Sequence, residues 1–348
     1  MTISRADTTR PAAHLPEAHS SALRYTLLMR PVDLADHLFG RDRASLRAIG
    51  AQDVAGRALE QIDDEAREAL AQTDVLIMGW GAPRLTDDDL AAAPHLRAIL
   101  YAGGQVSGLV PTSAHRRGIL LSNAGHANAI PVAEFTTALI VLANKQALRS
   151  ARLYHERRSM IHREVDFPHA GNRSKSVGIV GASRIGRMVI ERLSRLDVDI
   201  ALYDPFVGQA EAHALGVRPV GLDVLMATSD VVSVHAPLNH DTVGLITRAH
   251  LRAMRDGATF INTARGGLVD QEALVDELRT GRIDAMLDVT TPEVLPPAHE
   301  LYDLPNVLLT PHMAGSTGPE LARLGDHVAA EFERLARGLP LLFPEKTR

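Results

Sequence analysis

The stretch Ser176-Val-Gly-Ile-Val-Gly-Ala-Ser-Arg-Ile-Gly186 passes from a short apolar run, through glycine, into a segment with Ile185, Met188, Val189 and Leu193 on one helical face. A strand, a tight turn and a helix start, in that order, make a receptor for pyrophosphate. Free backbone N–H groups and the positive end of the helix dipole point at one place. Gly181 serves the turn, and Gly186 lets the helix pack close to the strand. Ser183 stands where the glycine fingerprint has its middle glycine. Its Cβ narrows the approach to phosphate, while its hydroxyl can donate a hydrogen bond. Up to this point an ordinary glycine-bearing strand–helix turn reads the same way. The next strand pattern, Ala201-Leu-Tyr-Asp-Pro205, separates the two readings. Asp204 lies 18 residues beyond Gly186, near the ~20 at which the fingerprint places a carboxylate on the adenosine ribose. A turn-forming Asp ahead of Pro205 is the alternative. A carboxylate there also repels a 2′-phosphate, so the expected cofactor is NAD rather than NADP.

Working outward from this stretch, strands are expected at 176–181, 199–203, 231–234, 259–263, 284–289 and 307–310, with helical patterns between them. Six such strands are the count of a dinucleotide-binding sheet. Upstream, short apolar runs at 25–30, 74–78, 96–101 and 118–122 predict a second parallel α/β sheet. A long helix is expected over 131–158, opened by Pro131, followed by a polar connection over 162–175. The last helix, over 318–337, lines up Leu321, Leu324, Val328, Phe332 and Leu335 in one apolar stripe that needs a folded surface to dock on. The expected class is therefore α/β: a Rossmann-type doubly wound parallel sheet with a second, flavodoxin-like α/β substrate domain. The cofactor domain is expected over 127–313. The substrate domain is split between 1–126 and 314–348, with 1–23 as a loose tail.

Composition narrows the function classes. The 348 residues hold 45% hydrophobic residues, enough for two ordinary cores. A net charge of −5 argues against nucleic acid and membrane surfaces, both of which favour a basic face. There is no cysteine, so disulfides, thiolate metal sites and a cysteine nucleophile are excluded together, and no metal site is expected. The tail lacks the ~7–15-residue apolar core of a secretory signal, and no stretch approaches ~18 consecutive apolar residues. The expected compartment is the cytoplasm.

Hydride transfer to a 2-keto acid needs a cation for the carboxylate and the polarised carbonyl. It also needs an acid/base for the hydroxyl proton and a partner to orient that group. Arg265, ahead of Gly266-Gly267, offers a planar fork for a carboxylate. His312, in Pro311-His-Met-Ala-Gly315, carries an imidazole, a side chain that can both donate and accept the proton. Glu293 lies 19 residues before it. Taken singly, a strand-end histidine among 16 and a glutamate between prolines read as surface residues. Their placement on three successive strand exits of one sheet points to a common site.

Four stretches make the chain, over about residues 73–337, similar to the D-isomer-specific 2-hydroxyacid dehydrogenases. They are 177–186; Val234-His-Ala-Pro-Leu238 with Thr242; Phe260-Ile-Asn-Thr-Ala-Arg-Gly-Gly-Leu-Val-Asp270; and Leu287-Asp-Val289 through Glu293 to Leu309-Thr-Pro-His312. The Asn-Thr-Ala-Arg-Gly and Asp-Val…Glu…Thr-Pro-His blocks are more specific than the glycine loop. The resemblance implies Arg265 as substrate-binding arginine, His312 as acid/base and Glu293 as its partner. It implies cofactor contacts from Gly181, Ser183, Arg184, Ile185, Gly186, Asp204, Ala236, Pro237, Thr242, Thr263, Ala264, Asp288, His312 and Gly315. Asp288 is expected on the nicotinamide carboxamide. Substrate contacts are implied at Gly103, Gly104 and Gln105, and a hinge helix at Val132-Ala-Glu134.

Departures from the family pattern are Ser183, Val294 after the glutamate, and Ser107, where an aspartate is usual. They bear on substrate identity more than on reaction type. The resemblance implies a homodimer joined through the cofactor domains, a small 2-hydroxy or 2-keto acid as substrate, and a short form without a regulatory domain. Phosphite-type dehydrogenases share the framework, and a non-catalytic NAD(H)-sensing corepressor is a rival of another class. Arg84, Lys145, Arg149, Arg157 and Arg158 are available charges for a phosphorylated substrate, though each also reads as a solvated surface residue.

Overall fold

The computed structural model describes residues 22–106 and 108–345. Most of the expected tail, and Ser107, lie outside the described residues. The chain forms two compact units, one running up to Ala127 and resuming at Gly318, the other covering Asn128–Thr317.

In the first unit five parallel strands, β1 (Arg24–Leu28), β2 (Gln52–Leu59), β3 (Val75–Met78), β4 (Ala98–Tyr101) and β5 (Leu120–Asn123), pair in the order β2-β1-β3-β4-β5. This is the flavodoxin order. The inner strands β3 and β4 are buried along their whole length, which is why they read as unbroken apolar runs. The sequence pattern does not reveal β2, because it is an edge strand in which only Ala58 and Leu59 are buried. The helix Leu321–Ala336 buries Leu321, Leu324, Val328 and Phe332 among Tyr25, Leu27, Val75 and Ala98. Each such side chain contributes about 2 kcal/mol by leaving water. Gly325 permits a close crossing with the helix Leu34–Phe39, since a Cβ there would stand 1.7 Å from the Leu38 carbonyl oxygen.

Behind that helix the chain returns along the sheet edge. The buried Glu331 carboxylate accepts hydrogen bonds from Ser122 Oγ (3.0 Å), Leu342 N–H (2.9 Å) and Phe343 N–H (2.8 Å). Glu345 N–H adds a bond to the Leu121 carbonyl at 2.7 Å.

The second unit holds seven parallel strands: β6 (Lys175–Val180), β7 (Val198–Tyr203), β8 (Arg218–Pro219), β9 (Val231–Val234), β10 (Thr259–Asn262), β11 (Asp284–Leu287) and β12 (Val307–Leu309). Their order is β12-β11-β10-β9-β6-β7-β8. It is the dinucleotide-binding arrangement with one strand added at the far edge. The six expected strands are present. The seventh, β8, is two residues long and too short to carry a pattern. Strand order reverses between β6 and β9, where a crevice opens beyond the carboxyl ends.

The helix expected over 131–158 is two helices, Gly125–Asn144 and Ala147–Arg157, broken at Gln146 in the left-handed region (φ 50°). The first begins earlier than expected because the Asn123 side chain accepts the Gly125 N–H at 2.8 Å. Pro131 consequently lies inside the helix and not in its first turn. This helix is long and apolar enough to cross a membrane, yet Ala133, Leu139, Ile140 and Ala143 pack in a core with β6.

Candidate active site

The turn after β6 is built by backbone demands. Gly181 has φ 100°, and a Cβ on it would stand 2.7 Å from Ala236 N. At Gly186 a Cβ would stand 2.2 Å from the Gly181 carbonyl oxygen, so the helix Arg184–Leu193 can reach the strand only with glycine there. Ser183 has φ −62° and needs no glycine. It caps the helix, its Oγ accepting the Gly186 N–H at 3.3 Å. That bond uses a lone pair, so the hydroxyl proton stays available to an oxyanion at the helix start. Asp204 accepts the Ala182 N–H (2.7 Å) on one oxygen and the Phe206 N–H (2.8 Å) on the other, locking the glycine turn to the end of β7. These residues fit a dinucleotide: a Cβ-free turn, a capped ten-residue helix and a carboxylate at the neighbouring strand end.

Other expected cofactor residues line the same carboxyl edge. Ala236 is buried and Pro237 exposed just past β9. Thr242 donates to the Pro237 carbonyl (2.5 Å) and accepts the Asn239 N–H (2.8 Å), folding that loop back on itself. Thr263 and Ala264 follow β10. Thr136 Oγ1 donates to the Val132 carbonyl (2.7 Å), so Thr263 donates in their 2.7 Å contact and keeps its lone pairs. Gly315 packs on Asn128, where a Cβ would stand a tight 3.1 Å from the side-chain oxygen.

The acid/base candidates come from the exits of β10, β11 and β12, which are adjacent in the sheet. His312 Nδ1 and Glu293 Oε1 are 2.5 Å apart, and both side chains are about half exposed. His312 itself is held in the left-handed region (φ 53°), a strained setting for a histidine that its surroundings must enforce. Asp288 supplies the constraint. Buried just past β11, it accepts Thr310 Oγ1 (2.6 Å) and the N–H groups of Met313 (2.8 Å) and Ala314 (2.9 Å). The residue expected on the nicotinamide thus also braces the turn that carries the imidazole.

Arg265 is exposed, and its loop is clamped from below. The buried Asn262 side chain donates to the Arg265 carbonyl (2.9 Å) and accepts the Ala264 N–H (3.0 Å). Gly266 lets this loop lie on Thr290, where a Cβ would come within 2.2 Å of backbone. On the Glu293 side, the Gln271 side chain grips Thr291 through two hydrogen bonds, donating to its carbonyl and accepting its N–H at 2.8 Å each. Sequence reasoning missed Asn262, Gln271 and Thr290 as supports. Asn262 stood in a quoted block; Gln271 carried no signal.

Gly103, Gly104 and Gln105 follow β4 in the first unit, with Gly103 tight against the Tyr101 ring. Of the spare charges, Arg157 is paired with Asp166 (2.9 Å). Arg149 lines a cavity with Lys175 and Asp230, at the amino ends of β6 and β9 and away from the site.

Residues 137–314 match the model of the family described as D-isomer specific 2-hydroxyacid dehydrogenase, NAD binding domain. The chain belongs to this family. Among curated relatives, the D-3-phosphoglycerate dehydrogenase of Archaeoglobus fulgidus is 35% identical over 253 residues, 72% of this chain and 47% of that protein. The protein of the same name from Mycobacterium leprae is 36% identical over 270 residues, 77% of this chain and 50% of that one. The chain spans about half the length of these dehydrogenases. A solved protein from Thermus thermophilus superposes with a TM-score of 0.75 at 28% identity, covering 93% of this chain and all of that one. The family assignment makes the crevice beside β6 an NAD-binding one.

Proposed function

We propose that the protein is an NAD-dependent dehydrogenase interconverting a small D-2-hydroxy acid and its 2-keto acid. The supporting observation is the 2.5 Å contact between His312 Nδ1 and Glu293 Oε1, three residues past the end of β12. With Nδ1–H given to the carboxylate, Nε2 is the nitrogen left to face a substrate oxygen. In reduction, Nε2–H delivers its proton to the carbonyl oxygen as charge develops there, while Arg265 forks onto the substrate carboxylate. In oxidation Nε2 takes the hydroxyl proton. NAD, when bound, supplies or takes up the hydride. Gly103, Gly104 and Gln105 are proposed as additional carboxylate contacts through their backbone N–H groups.

The relatives named D-3-phosphoglycerate dehydrogenase place phosphohydroxypyruvate among the substrates to try, with glyoxylate, hydroxypyruvate and pyruvate. NADH consumption with this panel tests the proposal. Turnover on one or more supports it. Tight NADH binding without turnover on any would replace it by a nucleotide sensor, and oxidation of phosphite alone by a phosphite-type enzyme. A homodimer through the second unit is proposed as well, because Tyr154, Met160 and Val165 expose large apolar surfaces on one segment. Light scattering at assay concentration reads the mass.

A further inference from the structure

At the amino ends of β1 and β2, on the opposite edge of the first sheet from Gly103–Gln105, lies a cavity of about 300 Å³. Its walls are Tyr25, Asp53 and Gly56 from the strands and Arg41, Asp42, Arg43 and Arg47 from the segment that enters and forms the helix Ala44–Ala48. The space exists because the β1–β2 register slips. Tyr25 pairs with Asp53 but Leu27 pairs with Ala58, so residues 54–57 loop outward.

Three features of the lining point to a ligand. Tyr25 is only 3% exposed, with its ring edge-on to Phe332 at 6.0 Å. Tyr25 lines the cavity, and among the described residues no hydrogen bond is recorded for its hydroxyl. Burial raises the phenol's pKa, and the charges of Arg43 and Arg47, which line the same cavity, oppose that rise. Arg43 is held in the left-handed region (φ 50°); it pairs through one nitrogen with Asp53, while its Nε is buried without a partner. A buried orphan donor of this kind calls for an explanation. Asp53 is itself taken, because its other oxygen accepts the Gly56 N–H at 3.0 Å. Arg41 and Arg47 have no carboxylate within ion-pair distance among the described residues. Asp42 is the remaining acid on the wall.

We propose that this cavity binds a small oxyanion, either inorganic phosphate or the phosphoryl group of a metabolite, held by Arg41, Arg47, Arg43 and the Tyr25 hydroxyl. Guanidinium groups bind phosphate oxygens through charge-assisted, forked hydrogen bonds, and a buried phenol adds a directional donor. The site lies on the opposite sheet edge from the strand ends that carry the substrate loop. It would therefore stabilise the first unit without competing for the reaction site.

Isothermal titration of the 348-residue chain, saturated with NADH and held at constant ionic strength with KCl, tests this. The probes are inorganic phosphate and, separately, 3-phosphoglycerate. NADH occupies the dinucleotide loop, so phosphate heat reports on another place. Saturable phosphate binding is expected, weakened tenfold or more by Arg47→Ala or Arg41→Ala and several-fold by Tyr25→Phe. The two arginines are exposed, and the phenylalanine keeps the core ring, so folding is preserved. Tighter binding of 3-phosphoglycerate, again lost in Arg47→Ala, would identify the phosphoryl group of a metabolite as the occupant; equal affinities would identify free phosphate. Heat indistinguishable from the KCl control, or equal affinity in wild type and Arg47→Ala, overturns the proposal. The readout is binding, so failure of the dehydrogenase assay would leave this test unaffected.

Discussion

Replacing His312 by asparagine removes the titratable nitrogen and keeps a polar side chain of similar reach. On the proposed chemistry kcat falls about 10²- to 10⁴-fold, while NADH affinity, read by fluorescence, changes little. Glu293→Gln retains a hydrogen-bonding partner at Nδ1 but removes its charge, and a smaller loss is expected. Wild-type kcat in the histidine variant would end the acid/base assignment. A different histidine tests the protein's acid sensitivity. His235, buried past β9 with Ser233 as its 2.9 Å neighbour, has its pKa lowered by desolvation from 6.5 to about 4. Above pH 6.5 the ring is neutral folded and unfolded, so it costs nothing. Between pH 6.5 and 4 the unfolded state takes up a proton that the folded state refuses, and stability falls by about 3 kcal/mol. Urea unfolding at pH 7 and pH 4.5 should therefore show a steeper loss in wild type than in His235→Gln. Parallel losses would mean that the ring titrates normally.

At the scale of elements, legibility followed burial. Strands with both faces covered, such as β3, β4 and β9, wrote unbroken apolar runs into the chain. The edge strands β2 and β8 did not, because their side chains answer to solvent and, in β2, to a bulge around the arginine cavity. Pro131 misled for a related reason. A proline favours a first turn, but the Asn123 side chain set the start two residues after itself, an interaction with no periodic signature. At the site, the residues proposed to touch ligands were legible because chemistry restricts their type. Asn262 and Gln271, which shape loops through ordinary side-chain hydrogen bonds, were hidden as supports because many residues can brace a backbone. Ser183 shows where a rule was applied too strictly: with φ −62° the middle glycine is dispensable and a cap takes its place. Gly186 is not dispensable. Gly186→Ala drives a methyl into the Gly181 carbonyl and shifts the helix start, so NADH affinity should drop at least tenfold. Ser183→Ala should instead cost about 1 kcal/mol of stability through the lost cap. Equal NADH affinity in Gly186→Ala and wild type would show that the turn is not where the cofactor sits.

For the molecule as a whole, the chain leaves its first unit at Ala127 and has to come back at Gly318. The returning helix brings four buried apolar side chains, which fix it against the sheet and the helix Leu34–Phe39. The segment after it is tied in part by Glu331, whose carboxylate collects three donors in a dry setting. Alanine there strands the Leu342 and Phe343 N–H groups, while Ser122 Oγ keeps the Phe343 carbonyl at 2.9 Å, and a loss of about 3 kcal/mol is expected on unfolding in urea. Glutamine can offer its one oxygen to Ser122 and Phe343 while its NH₂ opposes the Leu342 N–H, so it should fall between alanine and wild type. That ordering is the test. If Glu331→Ala unfolds like the wild type, the segment is held instead by Phe343, whose ring lies 5.1 Å from His126 and 5.0 Å from His327. Phe343→Ala would then show the loss that the acid did not.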